Sequence, residues 1–182
     1  MPRLLAIAVF ALTLPALAQA DEDDHGTLNP DEMSMQSALD NARHGKVDMM
    51  TCAIGYAMTK KGDHDDARVL FEECAAQGWT GTMTWMAYMD QNGFGGAGVA
   101  DPEAAAEWDR KAAEAGDPIG MFNHGVNLIR GWGVARDEAR GRALVDRAAD
   151  LGVDSAQRLQ GADYDLDEIT PDADEWTYQR LY

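Results

Sequence analysis

Two segments decide the fold: Asp101-Pro102-Glu103-Ala104-Ala105-Ala106-Glu107-Trp108-Asp109-Arg110-Lys111-Ala112-Ala113-Glu114-Ala115-Gly116, and Asp137-Glu138-Ala139-Arg140-Gly141-Arg142-Ala143-Leu144-Val145-Asp146-Arg147-Ala148-Ala149-Asp150-Leu151-Gly152. Each opens on an aspartate, reaches a large apolar residue seven positions on (Trp108, Leu144), and closes on a glycine after a basic residue, two alanines and an acid. The closing glycines are 36 residues apart, and the same ruler laid backwards finds Asp63, Leu70 and Glu73-Cys74-Ala75-Ala76-Gln77-Gly78, ending 38 residues before Gly116. Tandem copies at that period are the mark of a repeat protein whose units bury their apolar faces only by stacking.

Each copy reads as two helices. The second starts at an aspartate suited to cap free backbone N–H groups and ends at a glycine suited to the left-handed turn after a helix. Small residues four past the aspartate (Ala67, Ala105, Gly141) and the larger Leu70, Trp108 and Leu144 are expected to interlock as hairpins stack. In the first helices, Gly55, Ala87 and Gly125 sit six or seven residues before a closing glycine and permit close helix approach. The hairpins fall at about 47–78, 82–116 and 118–152, within a repeat domain of 30–162. Asn29 and Pro30 read as the cap and first residue of an atypical N-terminal capping helix that runs to about Arg43.

The glycine loops Gly131-Trp132-Gly133-Val134 and Ala97-Gly98-Val99, with the run from Trp108 to Gly116, resemble the Sel-one-like repeat (SLR) family, a branch of the tetratricopeptide-type α/α solenoids. The resemblance covers 82–152 strongly and 47–78 more loosely, where Lys61-Gly62 shortens the loop. It implies an all-α superhelical solenoid of about three hairpins with capping helices at both ends, working as a non-catalytic interaction scaffold.

Arg3, the apolar run Leu4–Leu14, Pro15 and Ala18-Gln19-Ala20 have the layout of a secretory signal peptide, with cleavage expected between Ala20 and Asp21. The run is shorter than the roughly 20 residues a membrane-spanning helix needs. Export places the mature chain in the periplasm or outside the cell. Removing residues 1–20 takes away one arginine, which leaves 14 Lys and Arg against 32 Asp and Glu, a net charge of −18. Such a field repels nucleic acid and favours basic partners. Residues 21–29 carry charge with little to bury and read as a disordered acidic arm. Residues 163–182 form an acidic, then aromatic, tail, in which Thr170-Pro171-Asp172 starts a closing helix with Trp176, Tyr178 and Leu181.

No serine-nucleophile, zinc-protease or phosphate-loop motif is present, and His25, His44, His64 and His124 share no ligand spacing. The reading is therefore no enzyme and no cofactor. Asp163, Asp165 and Asp167 alternate as in a calcium loop, but Glu168 stands where that loop needs glycine. Met33, Met35, Met83, Met86 and Met89 would supply soft copper ligands, yet methionines at helical spacing more often fill cores. An acidic divalent-cation or copper-binding protein is thus the alternative to a scaffold.

Cys52 lies ten residues before Gly62 and Cys74 twelve after it, so the two are level across the first hairpin. A disulfide is expected there, with two buried thiols as the alternative, and would stabilise by about 3 kcal/mol. The concave face of such a stack is lined mainly by first helices. The candidate partner-binding residues are accordingly Trp85, Tyr88, Phe122, Asn123, His124 and Asn127, together with Lys60, Lys61 and Asp90, and Trp79 and Trp132 in the loops. The expected ligand of the monomer is a protein or peptide, with basic segments favoured.

Overall fold

The computed structural model describes residues 34–96 and 98–169. The leader, the Ala20–Asp21 cleavage site, the 21–29 arm and the closing helix expected after Thr170 lie outside the described residues. The chain runs α1 (Met35–Arg43), α2 (Met49–Lys61), α3 (His64–Ala76), α4 (Thr80–Asn92), α5 (Pro102–Glu114), α6 (Pro118–Arg130), α7 (Glu138–Asp150) and α8 (Asp154–Gly161), followed by a 3₁₀ turn at Leu166–Glu168. No strand occurs among the described residues. Each helix packs on the next, α1 also reaches α3, and α4 touches α6. The result is an all-α solenoid of three hairpins, α2–α3, α4–α5 and α6–α7.

The repeat is written into the backbone at the helix ends. Asp101, Asp117 and Asp137 accept the N–H groups of Ala104, Gly120 and Arg140, which satisfies donors the helix itself leaves free. Asp63 departs from that expectation: its carboxylate makes no cap and lies 2.9 Å from Lys61 Nζ. After α3, α5 and α7 the chain turns through Gly78, Gly116 and Gly152, at φ of +90°, +91° and +90°. The next N–H reaches back to the carbonyls of Cys74, Ala112 and Ala148 at 3.0–3.1 Å, one Schellman turn used three times. α1 begins at Met35, where Ser34 supplies the cap by accepting the N–H of Ser37; the start expected at Asn29 and Pro30 lies outside the described residues.

Small residues bring the helices together. A Cβ on Gly125 would lie 2.8 Å from the Gly141 carbonyl oxygen, and one on Gly141 2.6 Å from that of Gly125, so the backbones of α6 and α7 touch. Gly55 plays the same part under the ring of Phe71. The core divides into one cluster over α1–α4 and another over α5–α8. The large residue seven past the aspartate is fully buried only in the first copy; Trp108 and Leu144 are half-buried at the margins, with Lys111 Nζ 4.2 Å above the Trp108 ring. On α2 the inward face is Cys52, Gly55 and Met58, whereas Met50 is exposed.

Cys52 and Cys74 form the disulfide, with a Cα–Cα distance of 6.0 Å. It ties α2 to α3 in the copy whose loop is shortest. Tyr164, Leu166 and Ile169 pack against the second core cluster, and the Tyr164 hydroxyl donates to Asp146. These residues cover the end of the stack that α8 alone leaves open.

Candidate functional site

The first helices α4, α6 and α8 line a groove of about 290 Å³. Tyr88, Phe122, Asn123 and Asn127 border it, joined by Gln91 of α4. Tyr88 is 46% exposed and presents its ring to solvent.

At the base of the groove stands Asp109, a residue of the second helix α5. The repeat ruler places it eight past Asp101, where the other copies carry Phe71 and Val145, 1% and 0% exposed. Asp109 is 5% exposed. Asn123 Nδ2 donates to one of its oxygens at 3.1 Å and Asn127 Nδ2 to the other at 2.8 Å. The asparagines recur every turn of α6, which puts both amides above one carboxylate. Burial in apolar surroundings raises the Asp109 pKa to about 6, and the two amides hold it back from rising further. A carboxylate in a core position costs stability, and such groups gather at functional sites. One N–H of each asparagine amide is committed to Asp109, so the groove offers amide and carboxylate oxygens as acceptors beside donors from Gln91 and Arg130.

Several expected site residues lie elsewhere. His124 is 3% exposed and faces away from the groove, toward α5 and α7, because one residue along a helix turns about 100° from Asn123. Asp90 points to α3, where its carboxylate accepts from Arg68 Nη2, which also donates to the Phe94 carbonyl at 3.3 Å. That pair fixes the glycine loop after α4. Trp85 does not line the groove; it sits in an aromatic row, 5.0 Å from Tyr56, 6.3 Å from Phe71 and 5.5 Å from Tyr88. Lys60 lies over the Tyr56 ring at 5.2 Å. Trp79 and Trp132 are 37% and 46% exposed. They occupy opposite edges of the stack, since one precedes α4 and the other follows α6, so they share no surface.

Among the described residues no group of three or more His, Cys, Asp or Glu is placed to hold a metal ion. Asp165 accepts the N–H of Asp167, and Asp163 lies 3.6 Å from Arg142. Met86 and Met89 are fully buried core residues. No helix among the described residues is long and apolar enough to cross a membrane.

Hairpins stacked at this period define an α/α repeat solenoid. Its particular form is the Sel-one-like repeat fold. No protein-family model matches the chain, and no curated protein matches its sequence. Solved structures do match. A Sel1 repeat protein from Oxalobacter formigenes superposes at TM-score 0.56 and 24% identity, over 70% of this chain and 97% of that one. Helicobacter pylori cysteine rich protein B gives 0.52 and 17%, over 68% and 89%. A protective antigen of uropathogenic Escherichia coli displaying an SLR fold gives 0.51 and 23%, over 79% of this chain and 36% of the antigen. At these identities the likeness is one of fold.

Proposed function

We propose that this chain is an exported, non-catalytic scaffold that holds a protein or peptide partner in the groove of α4, α6 and α8. The observation that carries the reading is Asp109, a buried carboxylate in a repeat position otherwise given to the core, opening with Asn123 and Asn127 onto that groove. Acceptors and donors side by side on a rigid helical surface suit an extended peptide, whose N–H groups the amide and carboxylate oxygens accept and whose carbonyls the Gln91 amide can meet, with a lysine or arginine side chain turned toward Asp109. The net charge of −18 left once residues 1–20 are removed adds attraction for basic segments and speeds their encounter. Export is supported by the leader pattern and by the disulfide, a bond that persists in oxidising compartments.

The test is selection of peptides from a random displayed library, followed by titration of the enriched peptide at low and high salt. Enriched sequences should be basic, bind more weakly as salt rises, and lose affinity several-fold on Tyr88→Ala and on Gln91→Ala, two exposed positions whose loss leaves the fold intact. Peptides that ignore both substitutions would move the site. Cleavage is tested separately by the mass of the protein recovered after export, which should begin at Asp21.

A further inference from the structure

The side of α5 and α6 turned away from the groove gathers cationic side chains. Next to Asp109 is Arg110, and next to Asn123 is His124; with Arg140 and Arg147 of α7 these line a second cavity of about 220 Å³. Arg140, Leu144 and Arg147 are four and three residues apart, so all three share one face of α7. His124 is 3% exposed, yet neither of its ring nitrogens has a hydrogen-bond partner among the described residues. A buried imidazole normally satisfies its polar atoms, and one left unsatisfied in the wall of a cavity points to something that enters.

The arginines say what enters. In a chain with 32 acidic residues against 15 basic ones, counter-ions are plentiful, and most of the described arginines have taken one. Arg43 pairs with Asp40, Arg68 with Asp90, Arg136 and Arg142 with Glu138, and Arg110 with Glu107 and Glu114. Arg140 and Arg147, by contrast, make no ion pair among the described residues, although they flank a cavity in which Glu114 is the one carboxylate among the described lining residues. Two unmatched guanidiniums and an imidazole converge from α6 and α7 in a protein otherwise rich in acid. We propose that this cavity between α5, α6 and α7 is a binding site for a small tetrahedral oxyanion, a phosphate group free or as a monoester. Donors approaching from two helices suit an ion that offers acceptor oxygens on every side, and guanidinium is the side chain best matched to such oxygens.

The charges around His124 give the site a spectroscopic signature. Burial, together with Arg140 and Arg110, pushes the imidazole pKa below its ordinary value, against a smaller upward pull from Glu114 and Glu107. An anion seated among these groups favours the protonated ring, so binding raises that pKa and takes up a proton.

The experiment is calorimetric titration of the whole protein at low ionic strength with inorganic phosphate and with glycerol phosphate, using acetate as the planar control. The His124 ring is followed by NMR through a pH series. Saturable binding of phosphate or its monoester is expected, with an upward shift of the His124 pKa. Affinity should fall by about tenfold or more in Arg140→Ala and Arg147→Ala, which alter exposed ends and leave the helices folded. The arm that binds tighter separates a free ion from an ester. Absence of saturable binding by either ligand overturns the proposal, as does affinity unchanged by both substitutions, or equal affinity for acetate. None of these outcomes bears on the peptide groove, which lies on the other face.

Discussion

Replacing Asp109 with asparagine removes a charge while keeping the side chain's shape, so it isolates what the buried carboxylate costs. The Asp109 pKa rises from 3.8 to about 6 on folding, chiefly through burial. The folded protein therefore holds this proton more tightly than the unfolded chain. Between those two values the folded state is protonated while the unfolded state is not, and stability falls as pH rises. Above the folded value the cost is complete. At about 1.4 kcal/mol per pKa unit it amounts to about 3 kcal/mol. The substituted amide carries no such cost, and it keeps bonds to both Asn123 and Asn127 if one of them turns its own amide over. Asp109→Asn should consequently be more stable than the parent by up to about 3 kcal/mol at neutral pH, with the gap closing as pH falls toward 4. Urea unfolding of both proteins across that range measures it, and the difference between them cancels every other titrating group. A variant less stable at neutral pH, or a gap that does not change with pH, would refute the argument. If the groove recognises a basic side chain, the stabilised variant should also bind the selected peptide more weakly, which is the usual exchange of stability for function.

Two further outcomes test the architecture. Cys52 and Cys74 close a loop with a sequence separation of 22, so Cys52→Ala with Cys74→Ala should lower stability by about 3 kcal/mol, and a thiol assay of unreduced, denatured parent should find no free thiol. In Gly141→Ala the new methyl would meet the Gly125 carbonyl oxygen at 2.6 Å and Ile129 Cγ1 at 2.7 Å. Overpacking against backbone costs about 1–3 kcal/mol or more, which outweighs the gain of about 1 kcal/mol in helix propensity, so a Tm equal to or above the parent's would contradict the close crossing.

The legible parts of the fold are those a backbone rule enforces. Three glycines at one period, each where only a left-handed turn closes a helix, locate the hairpins without any knowledge of packing. The level placement of Cys52 and Cys74 follows from helix rise alone. Rotation about each helix axis is what the sequence leaves illegible. His124 and Asn123 are neighbours in the chain and group together on paper, yet they serve opposite faces. Asp90 and Trp85 fall on the expected helix but not on its groove side. Asp63 carries the cap signal of its siblings, but Lys61 two residues away draws its carboxylate off. Asn123 and Asn127 read as contact residues; the structure makes them the partners of Asp109, so removing both would strand a buried carboxylate as well as alter the groove.

Asp109 itself has a signal in the sequence that the repeat ruler can find. Comparing the copies at eight past the aspartate gives Phe71, Asp109 and Val145, and one charge among two apolar residues is a mismatch no core explains. A repeat array tolerates such a mismatch because each unit leans mainly on its neighbours, so the stability lost at one position is carried by the interfaces on either side. Here each neighbouring unit is braced internally, the hairpin before it by the disulfide and the hairpin after it by the tight α6–α7 crossing. The mismatched carboxylate therefore sits between two braced hairpins, which is the arrangement expected if a site assembled from α4, α5, α6 and α8 carries the function and its neighbours hold it in place.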